Sequence, residues 1–259
     1  MNYGKPWLDG EKIPDDHLRD IFCVPPGIPR ALHRSSLITG SKGVGKTTLL
    51  RYQEKTHIGI STYISFPNEF ASLTKQTGNG PLAQTFEYSD SLCGKATSLL
   101  ALGITRRLAS KGLAIPREAI ISCLPSSQHG GRVKGKHVDL EWIETRRSEV
   151  ARASLDEFEG LADIHPLPPL AAALGKLCTE KSGPLLLLFD RADMVLTPSL
   201  VPVFELLDQA GSYISLVAMR PGHTGHLKMG AVEEAIAGDH YDVTILELTL
   251  DLTNGSNFS

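Results

Sequence analysis

Residues 40–48, GSKGVGKTT, combine three glycines, two lysines and two threonines between two apolar runs. Glycine tolerates positive φ, so a run of this kind lets several backbone N–H groups converge on one anion. A lysine adds a compact positive charge, and a threonine hydroxyl is an oxygen ligand suited to a hard cation. These residue types at this spacing are typical of a turn that binds phosphate.

The spacing of this turn is G-x-x-x-x-G-K-[ST], from Gly40 to Thr47, and it predicts a nucleotide-binding loop. An apolar strand precedes it and a helix follows, so the helix N-terminus adds its own N–H groups and dipole. We expect Lys46 to contact the β and γ phosphates and Thr47 to ligate Mg²⁺. The candidate binding residues are Gly40, Ser41, Lys42, Gly43, Val44, Gly45, Lys46, Thr47 and Thr48.

A second motif, PLLLLFD at residues 184–190, is too apolar for a half-exposed strand and suits the centre of a parallel sheet. Asp190 ends this strand, at the sheet edge where open α/β proteins bind ligands. Mg²⁺ needs oxygen ligands such as a carboxylate. The predicted metal ligands are therefore Thr47 and Asp190.

Three residues near this acid are candidates for catalysis, namely Asp190 itself, Asp193 and Arg220. Water-activating NTPases of this layout commonly carry a glutamate where Arg191 stands, and arginine cannot act as that base. Asp193, two residues further on, is the alternative acceptor. Arg220 follows an apolar strand, SYISLVAM, and its guanidinium is suited to contacting a γ-phosphate.

Strand-like and helix-like runs alternate along the chain, which favours an α/β fold with a parallel sheet covered by helices. The predicted strands are residues 35–40, 59–66, 184–190, 213–219 and 243–248. The predicted helices are residues 45–55, 94–112, 140–158, 167–180, 198–209 and 231–238, while residues 68–93 are polar and predicted to be irregular.

We divide the chain into a lead-in segment (1–33), a core (34–250) and a disordered tail (251–259). Residues 112–160 are interpreted as an insertion in the core, with a basic loop (129–137) followed by a charged amphipathic helix. In that helix Trp142, Ile143, Val150 and Phe158 are predicted to face inward.

LITGSKGVGKTTLLR (37–51), LLLLFDRAD (185–193) and ISLVAMR (214–220) together resemble the AAA+ and STAND groups of P-loop ATPases. The closest resemblance is to bacterial ORC/Cdc6-like ATPases, and it covers about residues 34 to 250. It implies a three-layer α-β-α P-loop NTPase core with a mainly parallel five-stranded sheet in the order 5-1-4-3-2. It also implies ATP and Mg²⁺ as cofactors, Asp190 on the metal, and Arg220 as a sensor of the γ-phosphate.

Charge and composition limit the classes of partner that we expect for this protein. The formal net charge of -3 gives no global attraction to nucleic acid or to an anionic membrane. The basic loop is the one local candidate for nucleic acid contact, and it lacks interleaved aromatic residues for base stacking. No apolar run is long enough to span a membrane, and four widely spaced cysteines without a C-x-x-C pair indicate buried thiols. A cytoplasmic protein is therefore expected.

Three functions fit these motifs. The first is an ATPase or ATP-dependent switch whose nucleotide-bound state is recognised by a protein partner or by a second copy of the chain. Arg106, Arg107 and Arg191 are candidates for an arginine donated in trans. The second is a nucleotide-binding module with little or no hydrolysis, which Arg191 favours. The third is a small-molecule P-loop kinase. GTP is disfavoured because no N-K-x-D element follows the fourth strand.

Overall fold

The computed structural model describes residues 14, 18, 33–76, 90–130, 136–179, 183–192, 201–207, 211–220 and 244–248, with the side chains of 74–76, 201 and 244–248 excepted. Several predictions lie outside the described residues: nearly all of the lead-in segment, the centre of the basic loop (131–135), Asp193, the helix at 231–238, and the tail.

Seven strands are described, β1 Ser36–Gly40, β2 Ser61–Ser65, β3 Ile115–Pro116, β4 His137–Val138, β5 Leu185–Asp190, β6 Tyr213–Ala218 and β7 Thr244–Leu248. Five of them form one sheet in the order β2-β5-β6-β1-β7, in which every neighbouring pair is parallel. Numbered along the chain, these five read 5-1-4-3-2 from the β7 edge, as the resemblance implies. The predicted α/β class and mainly parallel sheet are confirmed.

The described helices are α1 Lys46–Thr56, α2 Phe66–Glu69, α3 Ala71–Gln76, α4 Asp90–Ser110, α5 Arg117–Ile121, α6 Leu140–Arg152, α7 Leu167–Thr179 and α8 Val201–Glu205. They cover both faces of the sheet, and β5 at its interior is therefore buried along its whole length. Leu186 and Leu188 join a small core under α1, whereas Leu185, Leu187 and Phe189 join a larger core on the opposite face.

Helix α4 is buried almost all round, which the sequence did not indicate. An apolar stripe predicted one buried face, yet every residue from Leu92 to Thr105 is buried. The helix also begins at Asp90, four residues before the predicted start. It lies between the sheet and α6, so its small and polar residues are enclosed together with its leucines.

The buried residues of α4 include a lysine. Lys95 is fully buried, and its Nζ donates hydrogen bonds to the carbonyl oxygens of Ala151 (3.3 Å) and Ala153 (2.5 Å). The same ammonium lies 5.5 Å from the centre of the Phe158 ring. Burial lowers the pKa of Lys95, and the nearby Glu157 carboxylate partly opposes that change. These contacts satisfy carbonyl groups where α6 ends, and so fasten α6 to α4.

Two other predicted boundaries are wrong. The amphipathic helix predicted to reach residue 158 ends at Arg152, and a separate 3-10 turn, Leu155–Phe158, follows with a Ser154–Glu157 capping box. The four side chains predicted to face inward are nevertheless all buried. Helix α2 begins at Phe66, within the predicted strand, and α2 and α3 extend into the segment predicted to be irregular. Pro67 lies in the first turn of α2, where proline is tolerated.

The three described cysteines, Cys93, Cys123 and Cys178, are buried thiols, as predicted, and form no disulfide with one another. Burial raises the pKa of Cys93 to about 12, so this thiol is protonated at neutral pH. No helix within the described part of the chain has the length and apolar character that a membrane-spanning segment needs.

Helix α7 closely approaches Ser212, the residue directly before β6, and this contact gives a test of packing. A methyl group on Gly175 would lie 2.3 Å from the carbonyl oxygen of Ser212. We expect Gly175→Ala to lower the free energy of unfolding by about 1–3 kcal/mol, because the overlap outweighs alanine's better helix propensity. Urea denaturation measures this change. The exposed neighbour is the control, and Lys176→Ala should stay within about 0.5 kcal/mol of wild type; a stabilised Gly175→Ala would contradict the packing.

Candidate functional site

The loop of residues 40–48, here called the glycine loop, adopts the backbone conformation that its glycines allow. Gly40, Gly43 and Gly45 have φ values of 150°, 91° and 94°. A Cβ atom on Gly43 would meet nothing within 4 Å, so at this position glycine is required by backbone conformation rather than by lack of space. Residues 41–43 are exposed and residues 44–48 are half-buried, which leaves the turn accessible from outside the sheet edge.

Helix α1 begins directly after the loop. Gly45 is its N-cap and provides no side-chain hydrogen bond, and the first turn carries no acidic residue. The first N–H groups of a helix lack partners within the helix, and they carry its positive partial charge. The end of α1 that faces the glycine loop therefore has the electrostatic character that favours an anion.

Lys46 turns back over the loop that precedes it. Its Nζ donates hydrogen bonds to the carbonyl oxygens of Gly40 (2.6 Å) and Ser41 (2.8 Å). The ammonium group is therefore held against the main chain of the glycine loop. The predicted contact of Lys46 with phosphates stays a prediction.

The structure brings together the two predicted metal ligands, which are 143 positions apart in the sequence. The Thr47 hydroxyl lies 3.2 Å from Oδ1 and 3.0 Å from Oδ2 of Asp190. Asp190 is two residues after Leu188, so it faces the side of the sheet that α1 covers. Only 2% of Asp190 is exposed, so its carboxylate depends on hydrogen-bond donors from the protein.

Two further donors reach Asp190, and sequence reasoning missed both. The Tyr63 hydroxyl donates to Oδ2 at 2.6 Å, and the backbone N–H of Arg191 donates to Oδ1 at 3.0 Å. Tyr63 pairs with Leu188 in the β2–β5 register, so it lies diagonally next to Asp190 on the same face. Tyr63 could have been found from the sequence, because it carries a hydroxyl and lies in the strand that the predicted order places beside β5.

Arg191 has a left-handed backbone conformation, with φ of 58°. This conformation is uncommon for a residue with a side chain. It turns the chain sharply at the end of β5, and the turn directs the N–H of Arg191 back to the Asp190 carboxylate. Arg191 therefore contributes its main chain to the site.

Arg220 is half-buried and lies two residues after the end of β6. Strand β6 lies between β5 and β1, and the N–H of Met219 donates to the carbonyl oxygen of Ile38. Arg220 thus leaves the sheet at the same edge as the glycine loop and Asp190. Asp193, the other predicted catalytic residue, lies outside the described residues.

The donor set at this edge suits Mg²⁺ in its chemistry. Thr47 and Asp190 provide hard oxygen atoms within one small space, and Mg²⁺ is usually held by one or two protein oxygens together with water and phosphate oxygens. Across the described residues, no group of three or more His, Cys, Asp or Glu side chains is arranged to hold a metal ion. A site of this kind would therefore need oxygens from a phosphate ligand and from water.

Comparisons with protein-family models, with curated proteins and with solved structures gave no match to this chain.

The contact between Thr47 and Asp190 can be tested without any ligand. A double-mutant cycle with Thr47→Val and Asp190→Asn should show a coupling of about 1–3 kcal/mol in the free energy of unfolding, because the two groups share a hydrogen bond to a charged acceptor. Urea denaturation of the four proteins gives this value. Thr48→Val combined with Asp190→Asn is the matched control and should be additive; additivity of the Thr47 pair within about 0.5 kcal/mol would refute the contact.

Proposed function

We propose that this chain binds ATP together with Mg²⁺ in the glycine loop and acts as an ATPase or ATP-dependent molecular switch. The observation that carries the proposal is the contact between Thr47 and Asp190 beside a glycine loop with positive φ angles. The parallel sheet with helices on both faces supports a three-layer P-loop core of the kind that AAA+ and STAND ATPases have. The contact matters because it joins the two motifs that sequence reasoning had assigned to one Mg²⁺ site.

In this proposal each part of the site has a separate task. The N–H groups of the glycine loop and of the first turn of α1 bind the phosphate oxygens, and Lys46 neutralises their charge. Lys46 has three N–H donors, so it can keep a contact with the loop while it donates to a phosphate. Thr47 and Asp190 would hold Mg²⁺, which when bound supplies neutralisation of the charge that develops on the phosphates.

Hydrolysis depends on the residue that accepts a proton from the attacking water. Arg191 follows the metal-binding acid and cannot serve as this acceptor. Asp193 is the proposed substitute, and Arg220 at the same sheet edge is the proposed sensor of the γ-phosphate. We expect wild-type turnover to be slow, which suits a protein whose bound nucleotide holds one conformation for a partner to recognise.

A second candidate function is a nucleotide-binding module with little or no hydrolysis. Arg191 at the usual position of the catalytic acid favours it. In either case we propose a cytoplasmic protein whose nucleotide-bound state is recognised by a protein partner or by a second copy of itself. The basic loop is the only support for a contact with nucleic acid.

Removal of the Lys46 ammonium tests nucleotide binding. We expect Lys46→Ala to raise the dissociation constant for Mg·ATP by about ten- to hundredfold, because a hydrogen bond to a charged phosphate is lost. Equilibrium binding of a fluorescent ATP analogue measures this change, with the melting temperature recorded for each variant. Lys55→Ala, at the other end of α1, is the control and should bind like wild type. Equal affinities for the two variants would contradict the proposed phosphate site.

Substitution of Arg191 separates the two candidate functions. Arg191→Glu should raise the rate of phosphate release from ATP by about tenfold or more, because it restores a proton acceptor beside the metal-binding acid. Arginine and glutamate bear the same backbone cost at a φ of 58°, so the comparison isolates the side chain. Arg191→Gln is the matched control without a basic carboxylate. Unchanged turnover in Arg191→Glu with intact ATP binding would favour the module without hydrolysis.

A further inference from the structure

The hydrogen bonds of the Asp190 carboxylate are unevenly divided between fixed and movable donors. A carboxylate has about four acceptor positions, and contacts from Thr47, Tyr63 and Arg191 lie on both of its oxygens. Oδ1 faces the N–H of Arg191 and the Thr47 hydroxyl. Oδ2 faces the Thr47 hydroxyl and the Tyr63 hydroxyl, and the latter contact, at 2.6 Å, is the shortest of the set.

Of these three donors, Tyr63 is the one that can leave. The N–H of Arg191 belongs to the main chain at the end of β5 and cannot move without that strand. The Thr47 hydroxyl is the group that the proposed function places against the cation. Tyr63 is half-buried, so its hydroxyl has access to solvent if it turns away from the carboxylate.

A water molecule bound to Mg²⁺ is a charge-assisted donor to a carboxylate, because the metal charge polarises its O–H bonds. Such a water beside Thr47 would need an acceptor position on Oδ2, where the Thr47 and Tyr63 hydroxyls already lie. The Tyr63 hydroxyl holds an acceptor position on Oδ2, the oxygen nearer to Thr47.

We propose that Tyr63 is a placeholder donor, whose hydroxyl stabilises the buried Asp190 carboxylate and is displaced by a cation-bound water when Mg·ATP binds. This inference rests on the proposed function and adds to it a residue that sets how strongly Mg²⁺ and nucleotide binding are coupled. The hydroxyl competes with the hydrated cation, so it weakens the effect of Mg²⁺ on ATP affinity. A residue that only positioned Asp190 for the metal would have the opposite effect.

The coupling is measured as a ratio of two dissociation constants for a non-hydrolysable ATP analogue, one in EDTA and one in excess Mg²⁺. Removal of the hydroxyl in Tyr63→Phe should increase this ratio by about two- to tenfold over wild type, the range expected for one net hydrogen bond. Without ligand, Tyr63→Phe should also melt at a lower temperature than wild type, because the buried carboxylate loses a donor. Tyr52→Phe, the same chemical change on α1, is the control and should leave the ratio unchanged.

The outcomes distinguish this inference from the proposed function. If wild type binds the analogue and the ratio for Tyr63→Phe is equal to or smaller than that of wild type, the placeholder role is wrong and nucleotide binding stands. If wild type binds no analogue in either condition, the proposed function fails and the inference fails with it. Should Tyr63→Phe not fold, Tyr63→Leu also lacks the hydroxyl at this half-buried strand position, and its ratio is judged by the same criterion.

Discussion

The carboxylate of Asp190 is the group on which the arrangement of the site depends. A charge that is only 2% exposed is strongly destabilising unless donors surround it. The donors come from three separate parts of the chain: Thr47 at the start of α1, Tyr63 in β2 and the turn at Arg191. Because each must reach the same two oxygen atoms, they fix α1, β2 and the end of β5 relative to one another.

The two faces of the sheet differ in the size of their cores and in the residues at their carboxyl ends. The face under α1 has a small core, and the glycine loop, Thr47 and Asp190 lie at its edge. The opposite face has the larger core, in which α4 is enclosed between the sheet and α6. There the stacked rings of Phe66 and Phe70 pack near Phe189, the residue before Asp190. Strand β5 is therefore packed on both faces, and Asp190 at its carboxyl end lies beside the glycine loop.

The main chain and the side chain of Arg191 have different consequences for the site. Its left-handed backbone conformation provides a main-chain donor for Asp190, whereas its side chain offers no proton acceptor. The main-chain geometry that supports the Asp190 carboxylate is thus independent of the Arg191 side chain. Under the proposed function, the rate of hydrolysis would therefore vary with this one side chain while nucleotide binding is retained.

The sequence by itself determined the local features of this protein. The spacing from Gly40 to Thr47 specifies a turn with positive φ angles, and the apolar run before Asp190 specifies a strand buried on both faces, because contiguous residues and short periodicities encode both. The boundaries of α4 and α6 were predicted less well, since the Lys95 contacts with Ala151 and Ala153 that end α6 join residues more than fifty positions apart. The sequence predicted that Thr47 and Asp190 share a site, but only the tertiary structure decided their direct contact, the place of Tyr63 on the same carboxylate and the burial of α4 almost all round. These relations depend on strand register and on the packing of distant segments, which no local pattern of residues records.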